Sequence, residues 1–310
     1  MNRRSVRAPL GDLSIVIVTW HSAEDLPPLL ASLRSARAAG AELVIVENGS
    51  GDGAPAVVRA IDPGAVVIEN RENLGFAMAA NQGYAASRGS FVLFLNPDAV
   101  VAEGAVDRAL ALVAADPSIG VVGCRTLNTD GTPQPTVDRF YSVAGLVAQA
   151  VTERRWGGRS RGTVPAASGD VDWVYGSFMM CRREALDAVG GFDEAYEMYG
   201  EDLDLCHRLH EAGYRVVYLA EAVIVHRGNR SGERRYGAER DLAVLRSTLT
   251  FFRRRRGRSA ALAFRLLAGT SFVVKALLYV AAGLIGDRAD ARARARVYAR
   301  MTWLCLGGVP

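Results

Sequence analysis

Residues Phe91 to Val100 read FVLFLNPDAV, a stretch that combines an apolar run with a polar turn. Its first five residues are apolar, as in a strand that is buried on both faces, and the run ends at Asn96-Pro97-Asp98. Ligands of open α/β sheets bind at the carboxyl ends of the strands, so we expect Asp98 to face a ligand. The three residues are also common turn formers, and a simple turn fits them equally well.

A strand, a helix and a second strand come earlier in the chain. Leu13–Trp20 (LSIVIVTW) is a β-branched apolar run, Glu24–Ala38 has leucines at helical spacing, and Glu42–Val46 is again apolar. This order predicts two parallel strands joined by a right-handed crossover. The glycine-rich loop Glu47–Gly53 (ENGSGDG) then lies at the same carboxyl edge as Asp98.

The segment NRENLG, residues 70 to 75, leads into a predicted helix from Phe76 to Ser87. Amide groups near a helix start can bind phosphate. Asn73, Gly75 and Asn81 are therefore candidates for contacts with a phosphate or a ribose. A capped helix with solvated amides fits the same residues.

The alternation of helix and strand continues beyond Asp98. We predict a helix over 101–115 and strands over 120–124, 214–219 and 222–225. The fold class is therefore α/β, with a Rossmann-like, mostly parallel sheet flanked by helices.

Periodicity fades between residues 128 and 168. Pro133, Pro135 and arginines at 154, 155, 159 and 161 suggest a mobile loop region that could contact an acceptor or anionic headgroups. A solvated surface loop is the simpler interpretation.

Three carboxylates, Glu201, Asp202 and Asp204, open a predicted helix in the segment YGEDLDL. Acidic side chains at a helix start interact well with the helix dipole, which is the structural explanation. Glu201 and Asp204 share one helix face, however, and their mutual repulsion favours a bound cation or proton chemistry.

Charge divides the chain into an acidic body and a basic tail. Residues 1–230 carry 21 Lys and Arg against 28 Asp and Glu, whereas residues 231–310 carry 16 against 5. A basic tail suggests an anionic surface, and its apolar segments favour lipid over nucleic acid. The four cysteines have no metal or disulfide spacing and the basic start MNRRSVR has no apolar leader, so we expect a cytoplasmic protein without a signal peptide.

The tail combines an arginine-rich helix, predicted over 234–258, with the apolar segment Leu266–Gly286. That segment could span a bilayer, but Lys275 at its centre would cost about 2.5 to 3.5 kcal/mol on insertion scales. We therefore favour a helix that lies in the membrane interface, or a helical hairpin, over a span. A basic stripe that suits an anionic membrane surface follows at Arg288, Arg292, Arg296 and Arg300.

Seven ordered motifs resemble those of the family 2 glycosyltransferases, which have the nucleotide-sugar-binding GT-A fold. They are IVIVTW, VENGSGDG, NLGFAMAANQG, LNPDAV, YGSFMMCRREALDAVGGFDE, YGEDLDLCHRL and VHRG, and they extend over residues 13 to about 230. The resemblance implies a catalytic domain at 13–230, preceded by an N-terminal extension at 1–12, and the charge and apolar pattern of the tail predicts a membrane-associating helical region at 231–310.

The resemblance also implies a donor site. Thr19, Glu47 and Asn48 would line the nucleoside pocket, and Asp98 would hold a divalent Mg²⁺ or Mn²⁺ that neutralises the diphosphate. Asn96 stands where the first acid of the family's Asp-X-Asp element usually lies, although Asn-Pro-Asp is common among relatives that resemble bacterial rhamnosyltransferases. We place Asn96 with the donor-binding residues.

A late histidine often helps to hold the metal in this family, and His226 fits that position; the structural alternative is an exposed imidazole at a strand end. An inverting enzyme needs one carboxylate base, which by resemblance is Asp202, with Glu201 the second candidate and Asp204 orienting the helix start. The sugar and acceptor pocket would be shaped by Trp173, Tyr175, Gly176 and Ser177, although the two aromatic residues fit a core role equally well.

The resemblance implies an inverting, metal-dependent transfer of rhamnose from dTDP-rhamnose to a polyprenyl-diphosphate-linked or polysaccharide acceptor in cell-wall or surface polysaccharide assembly. We expect the enzyme at the cytoplasmic face of the plasma membrane, with no nucleic-acid partner and a possible homo-oligomer. The alternatives are another hexosyl or galactofuranosyl transferase that uses a UDP or GDP donor, and a noncatalytic nucleotide-binding or nucleic-acid-binding protein.

Overall fold

The computed structural model describes residues 10–145, 162–196, 198–228, 239–283 and 288–307. The chain divides into two compact units. The first comprises residues 1–140, 161–197 and 201–231, and the second comprises 141–160, 198–200 and 232–310. The arginines at 154, 155, 159 and 161 that were considered for acceptor contacts lie outside the described residues.

A ten-stranded mixed sheet forms the centre of the first unit, with the strand order β3-β2-β1-β4-β11-β6-β12-β5 and with β7 beside β6 and β9 beside β12. Strands β8 and β10 form a separate two-stranded sheet. The strands are β1 (Leu13–Thr19), β2 (Glu42–Glu47), β3 (Val66–Glu69), β4 (Phe91–Leu95), β5 (Ala99–Val101), β6 (Ile119–Leu127), β7 (Pro133–Gln134), β8 (Val137–Asp138), β9 (Gly169–Asp170), β10 (Trp173–Val174), β11 (Phe178–Arg182) and β12 (Arg215–His226).

Helices separate these strands and confirm the predicted α/β class. They are α1 (Leu26–Ser32), α2 (Arg34–Ala38), α3 (Ala54–Ile61), α4 (Phe76–Ala86), α5 (Ala105–Ala115), α6 (Arg183–Val189) and α7 (Glu201–Glu211). The core consists of the apolar faces of these helices and of strands such as β4, whose five residues are all buried.

Parallel pairing holds for β3, β2, β1 and β4, as the crossover pattern predicts. The sheet then becomes mixed, because β11 lies antiparallel between β4 and β6. Its register places Phe178 opposite Leu95. The residues just before β11 therefore lie beside the residues just after β4, at the carboxyl edge where a ligand is expected.

Two predicted boundaries differ from the structure. The helix predicted from residue 101 begins at Ala105, because Ala99–Val101 pairs with β12 as β5. The predicted strands 214–219 and 222–225 form one strand, β12, with an irregularity between Leu219 and Val223. This extension of β12 carries His226 to the edge of the sheet.

Residues 128–138, which fall in the predicted loop region, form a turn and the two short strands β7 and β8. A tight turn at Asn128–Gly131 returns the chain beside β6, and Gly131 adopts φ +81°, which favours glycine. Strand β7 consists only of Pro133 and Gln134. Prolines on both sides of Gln134 hide this strand from sequence patterns, because proline is depleted in strands.

The second unit consists of helices: α8 (Arg240–Phe251), a π-helical turn (Phe252–Arg256), α9 (Gly257–Ala282) and α10 (Arg288–Cys305). Helices α9 and α10 pack as an antiparallel hairpin. Arg265 Nε donates to the Cys305 carbonyl at 2.7 Å, and the Phe272 ring stacks on Tyr298 near the other end. The predicted basic and apolar helical appendage is confirmed.

One face of α9 is apolar and exposed. Its eight members, which we name the apolar stripe, are between 42% and 64% exposed, and they are Leu262, Leu266, Leu267, Val273, Val274, Leu277, Leu278 and Val280. At 100° per residue they fall within an arc of about 160°. Lys275 lies outside this arc, with its ammonium 5.7 Å from the centre of the Tyr298 ring on α10.

Within the described residues, the helical run Arg240–Ala282 is long and apolar enough to cross a membrane by length and composition. The prediction against a span rested on the charge of Lys275. That charge points towards α10 and not towards the exposed face of α9, so it is no longer an argument against a span.

Candidate active site

Asp98 and His226 meet at the carboxyl edge of the sheet. Strand β5 pairs antiparallel with β12, so that His226 lies opposite Ala99, the residue after Asp98. His226 Nε2 is 3.1 Å from Asp98 Oδ1 and 3.1 Å from Asn96 Nδ2. Both side chains of the Asp98–His226 pair are only 9% exposed, so His226 is not an exposed imidazole at a strand end.

The second oxygen of Asp98 fits a cation. Asp98 Oδ2 is buried and accepts no hydrogen bond from any residue that the structure describes. A buried carboxylate oxygen without a partner is unfavourable, and a bound divalent ion would compensate it. Carboxylate and imidazole are ligands that Mn²⁺ accepts, and Mg²⁺ prefers the carboxylate.

No cluster of three or more His, Cys, Asp or Glu side chains suited to a metal occurs among the described residues. Asp98 and His226 therefore supply at most two protein ligands of this kind. Any ion at this edge would complete its coordination with water and with phosphate oxygens of a substrate, as Mg²⁺ commonly does in nucleotide enzymes.

The loop after β2 is held by its own side chains. The Glu47 carboxylate accepts the backbone N–H groups of Gly49 at 3.1 Å and of Ser50 at 2.6 Å. Gly49 adopts φ +74°, and a Cβ there would lie 2.4 Å from the backbone of Glu72. Only glycine fits this close approach between the two loops. The Glu47 carboxylate thus shapes the loop that was predicted to bind the nucleoside.

Asn48 links the same two loops. Its Nδ2 donates to Asn73 Oδ1 at 3.0 Å and to the Gly75 carbonyl at 3.1 Å, and its Oδ1 accepts the Leu74 N–H at 3.1 Å. Both N–H groups of this buried amide are used within the protein. Asn48, Asn73 and Gly75 therefore form one fixed wall, and their predicted contact with a donor stays a prediction.

Thr19 ends β1 beside this wall. It is fully buried, its hydroxyl lies 3.4 Å from the Val46 carbonyl, and its own carbonyl accepts the Asn48 N–H at 2.8 Å. Asp52, which sequence patterns did not single out, accepts the Ala23 N–H at 2.8 Å and joins the loops after β1 and β2.

The structure gives Asn81 a task that differs from the predicted phosphate contact. Asn81 Nδ2 donates to the Phe192 carbonyl at 2.9 Å and to Glu194 at 3.0 Å, and its Oδ1 accepts the Phe192 N–H at 2.9 Å. A Cβ at Gly191 would lie 2.8 Å from the Asn81 amide oxygen. Asn81 has no N–H left for a phosphate, and it positions the Gly190–Glu194 turn instead.

The turn Tyr175–Ser177 connects the two predicted halves of the site. The Gly176 N–H donates to Asp202 Oδ2 at 2.9 Å, and the Ser177 carbonyl accepts the Asn96 N–H at 3.1 Å. A partly exposed carboxylate at the start of α7 and the Asn96–Asp98 segment after β4 therefore flank one short turn. The Asp202 carboxylate also accepts the Leu203 N–H at 2.8 Å, which fixes its plane.

Trp173 and Tyr175 pack against each other, with ring centroids 4.7 Å apart. Trp173 is buried, and its indole N–H donates to the Arg139 carbonyl at 3.2 Å. Tyr175 is partly exposed and is bonded through its N–H to the Thr136 carbonyl at 2.9 Å. Trp173 thus has a core role, and Tyr175 is the aromatic residue of this pair with surface to offer a sugar.

Glu201 lies buried beside Asp202, and its Oε2 has no partner among the described residues. Burial, together with the charge of Asp202, raises the pKa of Glu201 to about 8. Glu201 is therefore mostly protonated at neutral pH and is a poor proton acceptor there. Asp204, in the first turn of α7, is fully buried between the Tyr196 hydroxyl at 3.0 Å and Arg208 Nε at 2.6 Å.

Two contacts at the site involve residues that sequence patterns missed. Gln134 Oε1 is 2.8 Å from His226 Nδ1, and Arg227 forms an ion pair with Asp25 at 2.9 Å. Arg227 could have been found, because it follows His226 directly in the VHRG motif. For Gln134 the sequence offers little more than the Asn-Thr-Asp-Gly turn before it, which indicates a hairpin but not a contact with His226.

Comparisons with known proteins agree with this fold. A family model described as glycosyl transferase family 2 matches residues 14–190, and one described as the N-terminal domain of galactosyltransferase matches residues 169–228. A mannosyltransferase from Pyrobaculum calidifontis, solved with GDP-Man and Mn²⁺, shares the fold with a TM-score of 0.60 and 18% identity, over 96% of this chain and 89% of its own.

Two relatives are rhamnosyltransferases. The N-acetylglucosaminyl-diphospho-decaprenol L-rhamnosyltransferase of Mycobacterium tuberculosis is 30% identical over 231 residues, 69% of this chain and 75% of the relative. The O-antigen chain rhamnosyltransferase RfbN of Salmonella typhimurium is 23% identical over 261 residues, 82% of this chain and 79% of the relative. With a family model that matches more than half of its residues, this GT-A chain belongs to glycosyltransferase family 2 and is a hexosyltransferase.

Proposed function

We propose that this enzyme transfers rhamnose, with inversion, from dTDP-rhamnose to a polyprenyl-diphosphate-linked N-acetylglucosamine in cell-wall or surface polysaccharide assembly. The observation that carries the chemistry is the turn Tyr175–Ser177, which hydrogen-bonds to Asp202 on one side and to Asn96 on the other. The transferred sugar comes from the names of the two rhamnosyltransferase relatives, and the acceptor comes from the name of the first. The dTDP carrier is what the family resemblance implies.

Asp202 acts as the general base. The acceptor hydroxyl passes its proton to Asp202 while its oxygen bonds to the anomeric carbon. The bond from that carbon to the diphosphate oxygen breaks, and the electron pair leaves with the nucleoside diphosphate. Attack and departure on opposite faces invert the anomeric centre. A positioned base of this kind accelerates proton transfer by about 10²- to 10⁴-fold.

Asp98 and His226 would hold Mg²⁺ or Mn²⁺, with Asn96 beside them. A divalent ion held there would supply Lewis-acid chemistry that neutralises the diphosphate leaving group. The buried, unpartnered Asp98 Oδ2 supports this assignment. The fixed wall of Asn48, Asn73 and Gly75 lies at the edge formed by β1 and β2, on the side where the nucleoside would bind.

A second donor class is the main alternative. The mannosyltransferase with the same fold was solved with GDP-Man, and the galactosyltransferase model matches residues 169–228. A hexosyl or galactofuranosyl transferase with a GDP or UDP donor would use the same base and the same metal residues. The noncatalytic alternative is set aside, because the chain belongs to a family of enzymes.

A thermal-shift panel separates these donors. We expect dTDP with Mn²⁺ to stabilise the protein more than UDP or GDP with Mn²⁺, because dTDP is the nucleotide of the proposed donor. The effect should be measurable, since a ligand at 100 times its dissociation constant adds about 2.7 kcal/mol to the free energy of unfolding. Asp98→Ala should abolish the effect of Mn²⁺ on nucleotide binding. Transfer of labelled rhamnose from dTDP-rhamnose to a polyprenyl-diphosphate-linked N-acetylglucosamine then tests the reaction directly.

The control for Asp98→Ala is Asp107→Ala, which removes an exposed carboxylate from α5. It should respond to Mn²⁺ like the wild type. A preference for UDP or GDP would replace rhamnose by another sugar, and an unchanged Mn²⁺ response in Asp98→Ala would contradict the metal assignment.

The second unit binds the cytoplasmic face of the plasma membrane, with α9 lying in the interface. The apolar stripe presents eight aliphatic side chains without a charged residue between them on that face. A span is disfavoured because α10 packs along α9 and exposes Arg292, Arg296 and Arg300. At the bilayer centre each arginine would cost about 2.5 to 3.5 kcal/mol. At the headgroups each would instead gain about 1 kcal/mol from anionic lipid.

Flotation of the full-length protein with lipid vesicles tests this orientation. We expect flotation with vesicles that contain an anionic lipid and weaker flotation with zwitterionic vesicles. Leu266→Glu combined with Leu277→Glu should abolish flotation, since two charges would enter the apolar interface. Ala56→Glu with Ala60→Glu, on the exposed side of α3, is the matched control and should float normally. Unchanged flotation of the leucine variant, or resistance of the membrane-bound protein to alkaline carbonate, would contradict the interfacial helix.

A further inference from the structure

A chain of hydrogen bonds connects the surface of the β6–β7 hairpin to His226. Thr132 Oγ1 donates to Asp130 Oδ1 at 2.6 Å, and Asn128 Nδ2 donates to Thr132 Oγ1 at 2.9 Å. Gln134 Nε2 donates to Asn128 Oδ1 at 3.0 Å, and Gln134 Oε1 lies 2.8 Å from His226 Nδ1. Every member is a polar side chain whose donors and acceptors can be counted.

The direction of this chain follows from its outer end. An ionised carboxylate only accepts hydrogen bonds, and bonds from the Thr132 hydroxyl and N–H lower the pKa of Asp130. Thr132 uses its single hydroxyl proton on Asp130, so it must accept the bond from Asn128. The Asn128 amide therefore turns its oxygen towards Gln134, and Gln134 in turn presents its own oxygen to His226.

This orientation fixes the tautomer of His226. The ring nitrogen that faces the Gln134 oxygen must carry a proton, so Nδ1 is the N–H, and in the neutral ring Nε2 keeps its lone pair, which can accept from Asn96 Nδ2 at 3.1 Å. Nε2 is the atom that lies 3.1 Å from Asp98 Oδ1. A lone pair at that atom is what a metal ligand requires, and hydrogen bonds to the opposite ring nitrogen commonly orient ligating histidines.

We propose that Gln134 is a positioning residue that sets the tautomer and the ring orientation of His226, and that it thereby tunes the affinity of the site for a divalent cation. The inference rests on the proposed metal role of His226. It also explains the last residue of the VHRG motif, because a Cβ at Gly228 would lie 2.9 Å from Gln134 Nε2 and Gly228 adopts φ +78°. A larger residue there would push the Gln134 amide away from its position, and the positive φ also favours glycine.

The test uses three variants of the full-length protein. Gln134→Leu keeps the size of the side chain but removes its acceptor, Gln134→Glu keeps an acceptor towards His226, and Thr129→Val changes an exposed residue of the same hairpin as a control. Two quantities are measured: the ¹⁵N chemical shifts of the His226 ring in metal-free protein, and the affinity for Mn²⁺ by calorimetry. The calorimetry includes the nucleoside diphosphate that gives the largest thermal shift in the donor panel.

We expect the wild type, Gln134→Glu and Thr129→Val to protonate Nδ1. In Gln134→Leu the proton should move to Nε2, because Asp98 Oδ1 is the acceptor that remains within reach of the ring. Its Mn²⁺ affinity should fall by about 10- to 100-fold, the range seen when hydrogen bonds to metal ligands are removed, and Gln134→Glu should restore most of it.

Two results would overturn the proposal in different ways. If Gln134→Leu keeps the proton on Nδ1, Gln134 does not set the tautomer, whatever the function of the site. If the tautomer changes but the Mn²⁺ affinity does not, His226 is not a metal ligand, and the failure lies in the proposed metal site. The metal-free spectra thus separate the two cases.

Discussion

Asp202→Asn is expected to lower the rate of glycosyl transfer by about 10²- to 10⁴-fold, because an amide cannot accept the proton of the acceptor hydroxyl. The substitution keeps the size of the side chain and one oxygen that can accept the Gly176 N–H, at the cost of the acceptor for the Leu203 N–H, and it leaves the residues proposed for nucleotide and metal binding unchanged. Nucleotide binding in the thermal-shift panel and the KM for the donor should therefore stay near the wild-type values. Initial rates with labelled donor and lipid-linked acceptor measure the effect.

Asp172→Asn provides the matched control for this loss. Asp172 also accepts a backbone N–H, that of Phe140 at 2.8 Å, but it has no proposed part in the chemistry. Its rate should stay within a few fold of the wild type. If Asp202→Asn kept more than about a tenth of the wild-type rate, the base would have to be another group.

Glu201→Gln should remove a large pH dependence of stability. The pKa of Glu201 is raised from 4.5 to about 8 by burial and by the charge of Asp202, so the native protein keeps a proton that the unfolded chain has released. Stability due to this group therefore falls as the pH rises from about 4.5 to about 8 and levels off above that value. At about 1.4 kcal/mol per pKa unit, the upper limit is about 5 kcal/mol.

Urea unfolding of wild type and Glu201→Gln at about pH 5 and about pH 8.5 measures this difference. The free energy of unfolding of the variant, relative to that of the wild type, should be larger at about pH 8.5 than at about pH 5. Glu184→Gln is the control, since Glu184 also lies in the first turn of a helix but is exposed. Equal pH slopes in wild type and Glu201→Gln would show that Glu201 is ionised in the native protein.

Sequence patterns located the elements of the fold and both members of the Asp98–His226 pair, because those features are local. A buried apolar run that stops at Asn96-Pro97-Asp98 marks a strand end, and a second strand ends at His226. What they could not supply is the partner of each polar group. Asn81 has the residue type and the position expected of a phosphate ligand near a helix start, but its partner is the backbone of Phe192, which is far away in the chain.

Gln134 and Lys275 show two further reasons why sequence patterns miss the role of a residue. The task of Gln134 depends on a direction of hydrogen bonding that passes through four side chains, and no spacing rule contains it. The position of Lys275 was accessible in principle, since 100° per residue places it outside the apolar stripe. Mean hydropathy averages over the helix circumference and loses that information. The short strands β7 and β8 were not predicted from the sequence, because they are defined by their pairing and not by their composition.

The antiparallel insertion of β11 has a consequence for biosynthesis. Strands β1 to β4 can pair as soon as they leave the ribosome, but one edge of β4, the apolar run FVLFL, waits for β11, which follows roughly 80 residues later. At about 5 to 20 residues per second, this edge stays open for roughly 4 to 16 s during synthesis. An exposed apolar edge is a template for pairing with other chains. The nascent protein is thus most prone to aggregation while residues 96 to 182 are still being translated, and chaperones would act during that interval.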